Sequence, residues 1–247
     1  MLKTQELGEA DLIVSLLAEH RGKVRGVAPS ARRSRRRFGG VLEPMTRVRA
    51  VWREKAGRDL DRIERLECIR SYAEMQADPV KQSACAILSE IAELFSREGE
   101  ADTNAFRLLG AMLDALEGGQ HPWIVVRYFE LWTLQLHGLL PDLDACAGCS
   151  APLSGYGPRW ATAGAGLRCA GCGIDPDHES RRLRGSDLEF ILQVCKSAPQ
   201  EVSVEPRRVG PGSALETLLR GTLECYAERR FRTYRHLRRM LQEESSR

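Results

Sequence analysis

The order of apolar and polar residues divides the chain into a first part that reads as strands and a second part that reads as helices. Up to residue 75, short apolar or alternating runs are separated by turns, as at Lys23–Val27 and Arg47–Arg53. Alternation places successive side chains on opposite faces of a strand, so these runs predict half-buried strands. The segment Leu60–Ile69 fits a helix as well as an irregular strand. Four or five short strands within about 75 residues favour a small barrel.

Helical periodicity begins after Asp78. Apolar residues recur every three or four positions in five segments, which predict helices over 79 to about 97, 103 to about 117, 122 to about 137, 187–197 and 214–241. Proline opens the first and third helices, while Thr103 and Ser186 are candidate N-caps of the second and fourth. The predicted architecture is α+β, with a barrel domain over 1–76 and a helical domain over 77–247 that contains an insertion at 142–178.

Cysteine spacing is the strongest chemical signal in the sequence. Cys146-Ala-Gly-Cys149 and Cys169-Ala-Gly-Cys172 are separated by nineteen residues. Two C-x-x-C turns at this distance are typical of a tetrahedral zinc site, in which each turn supplies two thiolates. Four protein ligands leave no open position, so the predicted Zn²⁺ is structural. A pair of independent redox or incidental C-x-x-C sequences is the alternative, and His178 is a weaker candidate ligand.

The net charge of +3 conceals a strong asymmetry along the chain. Residues 21–58 contain 13 Lys and Arg against two acids, which gives +11 and leaves −8 for the remainder. The densest part, His20–Pro44, carries the cations that we predict to contact phosphate: Lys23, Arg25, Arg32, Arg33, Arg35, Arg36 and Arg37. Such a patch on a small barrel is typical of oligonucleotide binding. A solvated charged loop is the alternative.

Aromatic side chains are scarce in the same region, since residues 1–70 offer Phe38 and Trp52 alone. Binding is therefore expected to depend on phosphate contacts more than on base stacking, with weak sequence preference. If five cations contact phosphate, the log–log salt slope on single strands is expected to be roughly −3 to −4. Arg47 and Arg49 are candidates of second rank.

Several classes of function lack their sequence signals. There is no run of 18 apolar residues and no secretory signal pattern, so we expect a protein of the reducing cytoplasm with no membrane span. Phosphate-loop, H-E-x-x-H and G-x-S-x-G motifs are absent from the sequence, and its five histidines are scattered. We therefore expect a binding protein and not an enzyme. A zinc-ribbon protein of translation or transcription that binds structured RNA, and a protein-interaction scaffold, are the alternatives.

Three segments together resemble one known family. They are GEADLIVSLLAEHRGKVRGVAPSARRSRRRFGGVLEPMTRVRA at 8–50, WIVVRYFELWTLQLHGLLPDLDACAGC at 123–149, and LRCAGCG at 167–173. In order and content they resemble RecO, the bacterial recombination mediator and DNA repair protein, over nearly the whole chain.

The resemblance implies a fold and a set of partners. It implies an N-terminal OB-fold β-barrel, an all-α domain after it, and an inserted zinc ribbon with four cysteine ligands. It further implies binding of single- and double-stranded DNA, strand annealing in the RecF pathway, and partnership with RecR and with the C-terminal tail of single-stranded DNA-binding protein (SSB), so that RecA loads onto SSB-coated single strands. Family members have a short strand before the region matching Leu2–Thr4, where this sequence begins, which puts closure of the barrel in question.

A basic run near the C-terminus allows two interpretations. Between Arg229 and Arg239, basic residues are mixed with apolar ones. The run is either a second nucleic-acid surface or a dock for the acidic SSB tail, or else the solvated face of a core helix.

Overall fold

The computed structural model describes residues 1–54, 60–153, 157–162, 166–173 and 180–245, without the side chains of Arg35, Arg36 and residues 241–245. The candidate ligand His178 lies outside the described residues. Two compact units are present: Met1–Glu117 together with Thr233–Arg247, and Gly118–Arg232. The predicted division of domains at residue 76 stays a prediction.

The first unit is built on a five-stranded sheet. Its strands are β1 (Lys3–Leu7), β2 (Asp11–Ala18), β3 (Gly22–Ala28), β4 (Arg47–Arg53) and β5 (Asp61–Arg70). The strand order is β1-β2-β3-β5-β4, with β3 and β5 parallel and the other neighbours antiparallel. The ambiguous segment 60–69 is therefore a strand. Because alternate residues of β2, β3 and β5 face inward, Val14, Leu16, Val24, Ile63 and Leu66 form the core of this unit.

The predicted barrel is not closed, because the sheet is open between its outer strands. β1 and β4 form no ladder; the chain near them is joined by Met45 N–H donating to Met1 O at 2.8 Å and by the Met1 nitrogen donating to Thr46 O at 2.9 Å. The core is sealed instead by side chains between β3 and β4, where Phe38 and Val41 are buried among the inward residues of the strands. The result is an OB-like sheet whose open side is covered by the apolar side chains of Phe38 and Val41.

Nine helices are present in the described part of the chain. They are α1 (Arg35–Phe38), α2 (Ala73–Ala77), α3 (Pro79–Phe95), α4 (Thr103–Glu117), α5 (Pro122–Leu136), α6 (Gly185–Lys196), α7 (Pro206–Val209), α8 (Ala214–Tyr226) and α9 (Tyr234–Ser245). None of these helices has the length and apolar character needed to span a membrane. The first unit contains α1 to α4 and α9, and the second contains α5 to α8.

Two predicted caps differ from those observed. Asp102, not Thr103, caps α4, since its carboxylate accepts from Ala105 N–H at 2.8 Å while the Thr103 hydroxyl donates to Glu19 O. At α6, the helix begins at Gly185, and the Asp187 carboxylate accepts from Arg184 N–H at 2.8 Å. At α4 the carboxylate is the stronger acceptor because its charge strengthens the hydrogen bond.

The predicted continuous helix over 214–241 is also wrong, because the chain breaks between α8 and α9. Glu228 adopts a left-handed backbone with φ of 50°, which cannot continue a right-handed helix. The buried Glu224 carboxylate then accepts from Phe231 N–H at 2.9 Å and pairs with Arg230 at 2.9 Å. Apolar residues on both sides of the break keep helical spacing, which explains why periodicity alone joined them.

The cysteine-containing insertion includes a small antiparallel sheet, here called the ribbon sheet. Its strands are β6 (Arg159–Ala161), β7 (Leu167–Arg168) and β8 (Ser180–Arg182), in the order β7-β6-β8. Trp160 and Leu167 are buried beneath it. Because β8 pairs with β6, the ribbon continues to Arg182, past the predicted end at residue 178.

Candidate nucleic-acid interface and metal centre

Lys23 lies on β3 and faces the C-terminal end of α3. Its Nζ donates to Glu93 O at 2.8 Å, and Ser15 on the neighbouring strand donates to the Glu93 carboxylate. The last carbonyls of a helix lack intrahelical partners and carry partial negative charge, so a cation there acts as a C-terminal cap. The ammonium group is thus already engaged within the fold. Its predicted contact with phosphate stays a prediction.

Three arginines of the predicted set lie at the surface in weak ion pairs. Arg25 contacts Glu98 at 3.5 Å, Arg32 contacts Glu6 at 3.4 Å and Arg33 contacts Glu9 at 3.9 Å. The most exposed of the three is Arg33, whose side chain keeps 71% of its surface. Exposed pairs of this kind contribute about 0–1 kcal/mol, so a phosphate could replace the carboxylate at little cost. These guanidinium groups are available to a polyanion.

Arg37 serves the local structure around α1. Its Nη2 donates to Pro29 O at 2.7 Å, its Nε donates to the Ser34 hydroxyl at 3.2 Å, and the guanidinium lies 5.1 Å from the centre of the Phe38 ring. These contacts hold the loop after β3 against the buried Phe38. Arg35 and Arg36 are in α1, but their side chains are outside the described part, so their phosphate contacts stay predictions.

The second-rank candidates lie on β4. Arg49 pairs with Glu67 at 3.8 Å across the strand pair, and Arg47 lies 5.6 Å from the centre of the Phe106 ring. Both are exposed. They belong to the outer face of the sheet, as the alternating pattern predicts.

The four cysteines of the predicted metal site come together. The Sγ atoms of Cys146, Cys149, Cys169 and Cys172 all lie within 4.8 Å of one another. Tetrahedral zinc with bonds of about 2.3 Å would place its sulfurs about 3.8 Å apart. The Cys149–Cys169 distance is 3.7 Å, which suits a shared metal ion and is far longer than a disulfide bond. The four thiols could therefore hold a metal ion.

Backbone N–H groups favour the thiolate form of Cys146. Cys169 N–H and Gly148 N–H donate to Cys146 Sγ at 3.3 Å and 3.4 Å, and these bonds lower the pKa of Cys146 to about 6. Hydrogen bonds from the neighbouring thiol groups raise the pKa of Cys172 to about 12. A bound cation would reverse this competition, because a coordinating thiol is deprotonated outright.

Gly148 lies where the two cysteine turns meet in tight contact. A Cβ on Gly148 would lie 3.1 Å from Cys172 Sγ, closer than ordinary contact. The first turn is held by Ala147 N–H donating to Leu167 O on β7 at 2.8 Å. The cluster and the ribbon sheet are therefore one folded element.

Three arginines outside the predicted set form a row on the ribbon sheet. Arg159 on β6 is directly opposite Arg168 on β7 and Arg182 on β8. Sequence reasoning did not group the three as a site because they are far apart along the chain. The signal that could have found them is a basic residue in each of three short strands flanking a cysteine pair.

Comparison with known families matches the chain almost end to end. The family described as "Recombination protein O N terminal" matches residues 1–72, and "Recombination protein O C terminal" matches residues 76–235. Among curated proteins, "DNA repair protein RecO" of Anaeromyxobacter sp. (strain K) is 35% identical over 238 residues, covering 96% of this chain and 93% of that protein.

More distant relatives carry the same name. "DNA repair protein RecO" of Streptomyces avermitilis is 32% identical over 250 residues, with 96% of each chain covered. That of Desulforamulus reducens is 29% identical over 246 residues, covering 97% of this chain and 92% of that protein. The predicted family is confirmed. The chain has an OB-like sheet followed by helices and a four-cysteine cluster. Because both family models and the curated relatives match it, the chain belongs to the RecO family of DNA repair proteins.

Proposed function

We propose that this protein is a non-enzymatic recombination mediator that binds single- and double-stranded DNA, anneals complementary strands and, with RecR, helps RecA load onto SSB-coated single strands. Family membership supports the repair role. The observation that carries the DNA contact is the group of surface guanidiniums beside the OB-like sheet, each paired with an exposed carboxylate. The protein acts in the bacterial cytosol.

Phosphate contact is assigned first to Arg32 and Arg33. Both precede α1, and both are exposed. A nucleic-acid strand would exchange their carboxylate partners for phosphates and release condensed counterions, which makes the affinity fall with salt. Because these contacts reach the backbone and not base edges, discrimination between sequences is expected to be weak.

The metal of the cysteine cluster is proposed to be a structural Zn²⁺. Four thiolate ligands suit zinc and leave no coordination position for a substrate. Bound zinc would link the two cysteine turns and so stabilise the ribbon sheet. The C-terminal tail of SSB is proposed as a partner on family grounds, with RecA linked through the DNA.

The proposed function is tested by strand annealing on SSB-coated DNA. Arg32→Glu with Arg33→Glu is expected to weaken DNA binding and slow annealing, because it places two repulsive charges at the contact. Arg207→Glu with Arg208→Glu on α7 makes the same charge change on exposed residues of the second unit and serves as the control. Intact protein that fails to anneal, or that prefers folded RNA to single-stranded DNA, would overturn the proposal.

A further inference from the structure

The arginine row on the ribbon sheet places three like charges side by side. Arg159 pairs in register with Arg168 on one side and with Arg182 on the other, so all three side chains project from the same face. Directly opposite residues of neighbouring strands have Cβ atoms about 4.5–5.5 Å apart. Like charges at that distance destabilise a sheet.

No described carboxylate offsets this repulsion. Among residues 1–54, 60–153, 157–162, 166–173 and 180–245, none forms an ion pair with Arg159, Arg168 or Arg182. The half-buried Arg168 also has a buried Nε with no hydrogen-bond acceptor among those residues. In contrast, Arg25, Arg32 and Arg33 of the first unit each have a carboxylate partner. Within the described part of the chain, the three arginines of the row have no carboxylate partner.

The arginine row lies over buried apolar side chains. Trp160 and Leu167, which alternate with the arginines along β6 and β7, are 1% exposed and pack on the opposite face. Arg182 is oriented by its Nε, which donates to Gly157 O at 3.2 Å and leaves both Nη groups to donate elsewhere. Arg168 lies against the first cysteine turn, with Nη1 3.6 Å from the position of a Cβ on Gly148. Arg168 and Arg182 are therefore positioned before any ligand arrives, and Arg159 lies between them on the central strand.

We propose that this row is a second nucleic-acid contact, binding successive phosphates of one strand independently of the α1 region. With strands about 4.8 Å apart, the row spans roughly 10 Å, which is about three nucleotide steps at a rise of 3.4 Å, so its arginines can reach phosphates of neighbouring nucleotides. Arginine suits the task because its planar fork donates to two phosphate oxygens at once. The ribbon thus has a binding role in addition to a structural one. This inference rests on the proposed DNA-binding function.

The same strand supplies a matched control. Arg181 on β8 is opposite Trp160, so its side chain leaves the sheet from the other face. Arg181→Gln and Arg182→Gln remove the same charge from adjacent exposed positions. They differ in the face from which the charge is lost.

The test is the salt dependence of binding to a labelled single strand by full-length protein. Arg159→Gln, Arg168→Gln and Arg182→Gln together are expected to make the log–log slope shallower by about 2, because each phosphate contact contributes about 0.7. Between 50 and 200 mM salt, the intact protein should then lose about 20-fold more affinity than the variant. Arg181→Gln should leave the slope unchanged. Equal metal content in all variants would show that the ribbon still folds. The double variant Arg159→Gln with Arg182→Gln tests the row while leaving Arg168, which lies against the first cysteine turn, unchanged.

Each outcome decides between defined alternatives. If the ribbon variant keeps the slope and affinity of the intact protein, the second contact is overturned. Loss of DNA affinity in Arg32→Glu with Arg33→Glu would still uphold the proposed function. Absence of DNA binding by the intact protein overturns both. Poly-glutamate is added as a competitor to the same binding assay. If the ribbon variant binds DNA as the intact protein does but is no longer inhibited by poly-glutamate, the row recognises an acidic protein segment and the inference is wrong.

Discussion

Replacing Lys23 by methionine separates a structural role from a phosphate contact. Methionine keeps most of the length and apolar surface of the side chain but cannot donate to Glu93 O, which lies 2.8 Å from the ammonium nitrogen. A charged hydrogen bond contributes about 1.5–3 kcal/mol, and a cation near a helix C-terminus adds about 0.3–1 kcal/mol. Because Lys23 is only half-buried, we expect a net loss of about 1–2 kcal/mol.

The assay is urea unfolding followed by circular dichroism, with thermal unfolding as a second measure. At about 2–4 °C per kcal/mol for a chain of this size, Tm should fall by roughly 2–8 °C. Arg25→Gln is the matched control, since Arg25 leaves the same face of β3 and its ion pair with Glu98 is exposed. That variant should change the free energy of unfolding by no more than about 1 kcal/mol.

DNA binding by the same variants supplies the refuting result. If Lys23 is a helix cap, Lys23→Met should leave the slope of log affinity against log salt unchanged. If its stability equals that of the parent while the slope becomes shallower by about 0.7, Lys23 contacts phosphate and the assignment made from the structure is wrong.

Two further predictions concern the second unit. Chelation or Cys169→Ser should release about one zinc per chain and destabilise the protein, as measured by metal analysis and thermal unfolding. Cys225 is an exposed cysteine outside the cluster, so Cys225→Ser should do neither. Freshly purified protein with no metal would refute the site. Burial lowers the pKa of His121, whose neutral Nδ1 accepts from Trp123 N–H at 3.2 Å and caps α5. Its contribution to stability is therefore fully present above the ordinary pKa of about 6.5 and is lost as the pH falls through the lowered value. His121→Asn keeps a capping acceptor and should flatten this acid limb of the stability curve; an unchanged limb would contradict the assignment.

Local patterns were sufficient for most elements of the fold. The α+β class, the strand character of the first part and the helices beginning at Pro79 and Pro122 all follow from period and proline position. The error over 214–241 arose because helical spacing of apolar residues persists on both sides of Glu228, while the break depends on the Glu224 carboxylate folding back onto Phe231 N–H. Barrel closure failed for a similar reason, since no local pattern states whether two outer strands meet.

The sequence by itself determined which chemical groups this protein brings to its surfaces. Cysteine spacing gave four ligands that meet within 4.8 Å, and the arginine-rich stretch gave a cationic region beside an OB-like sheet. Each C-x-x-C turn and each cluster of charges is formed by neighbouring residues, so the order of residues along the chain was enough to predict them. Tertiary structure decided which cations are already engaged. Lys23 is held by the end of α3 and Arg37 by its own loop, while Arg159, Arg168 and Arg182 are brought into one row by strand register. Availability to a ligand depends on partners distant in the chain, and only the folded arrangement supplies them.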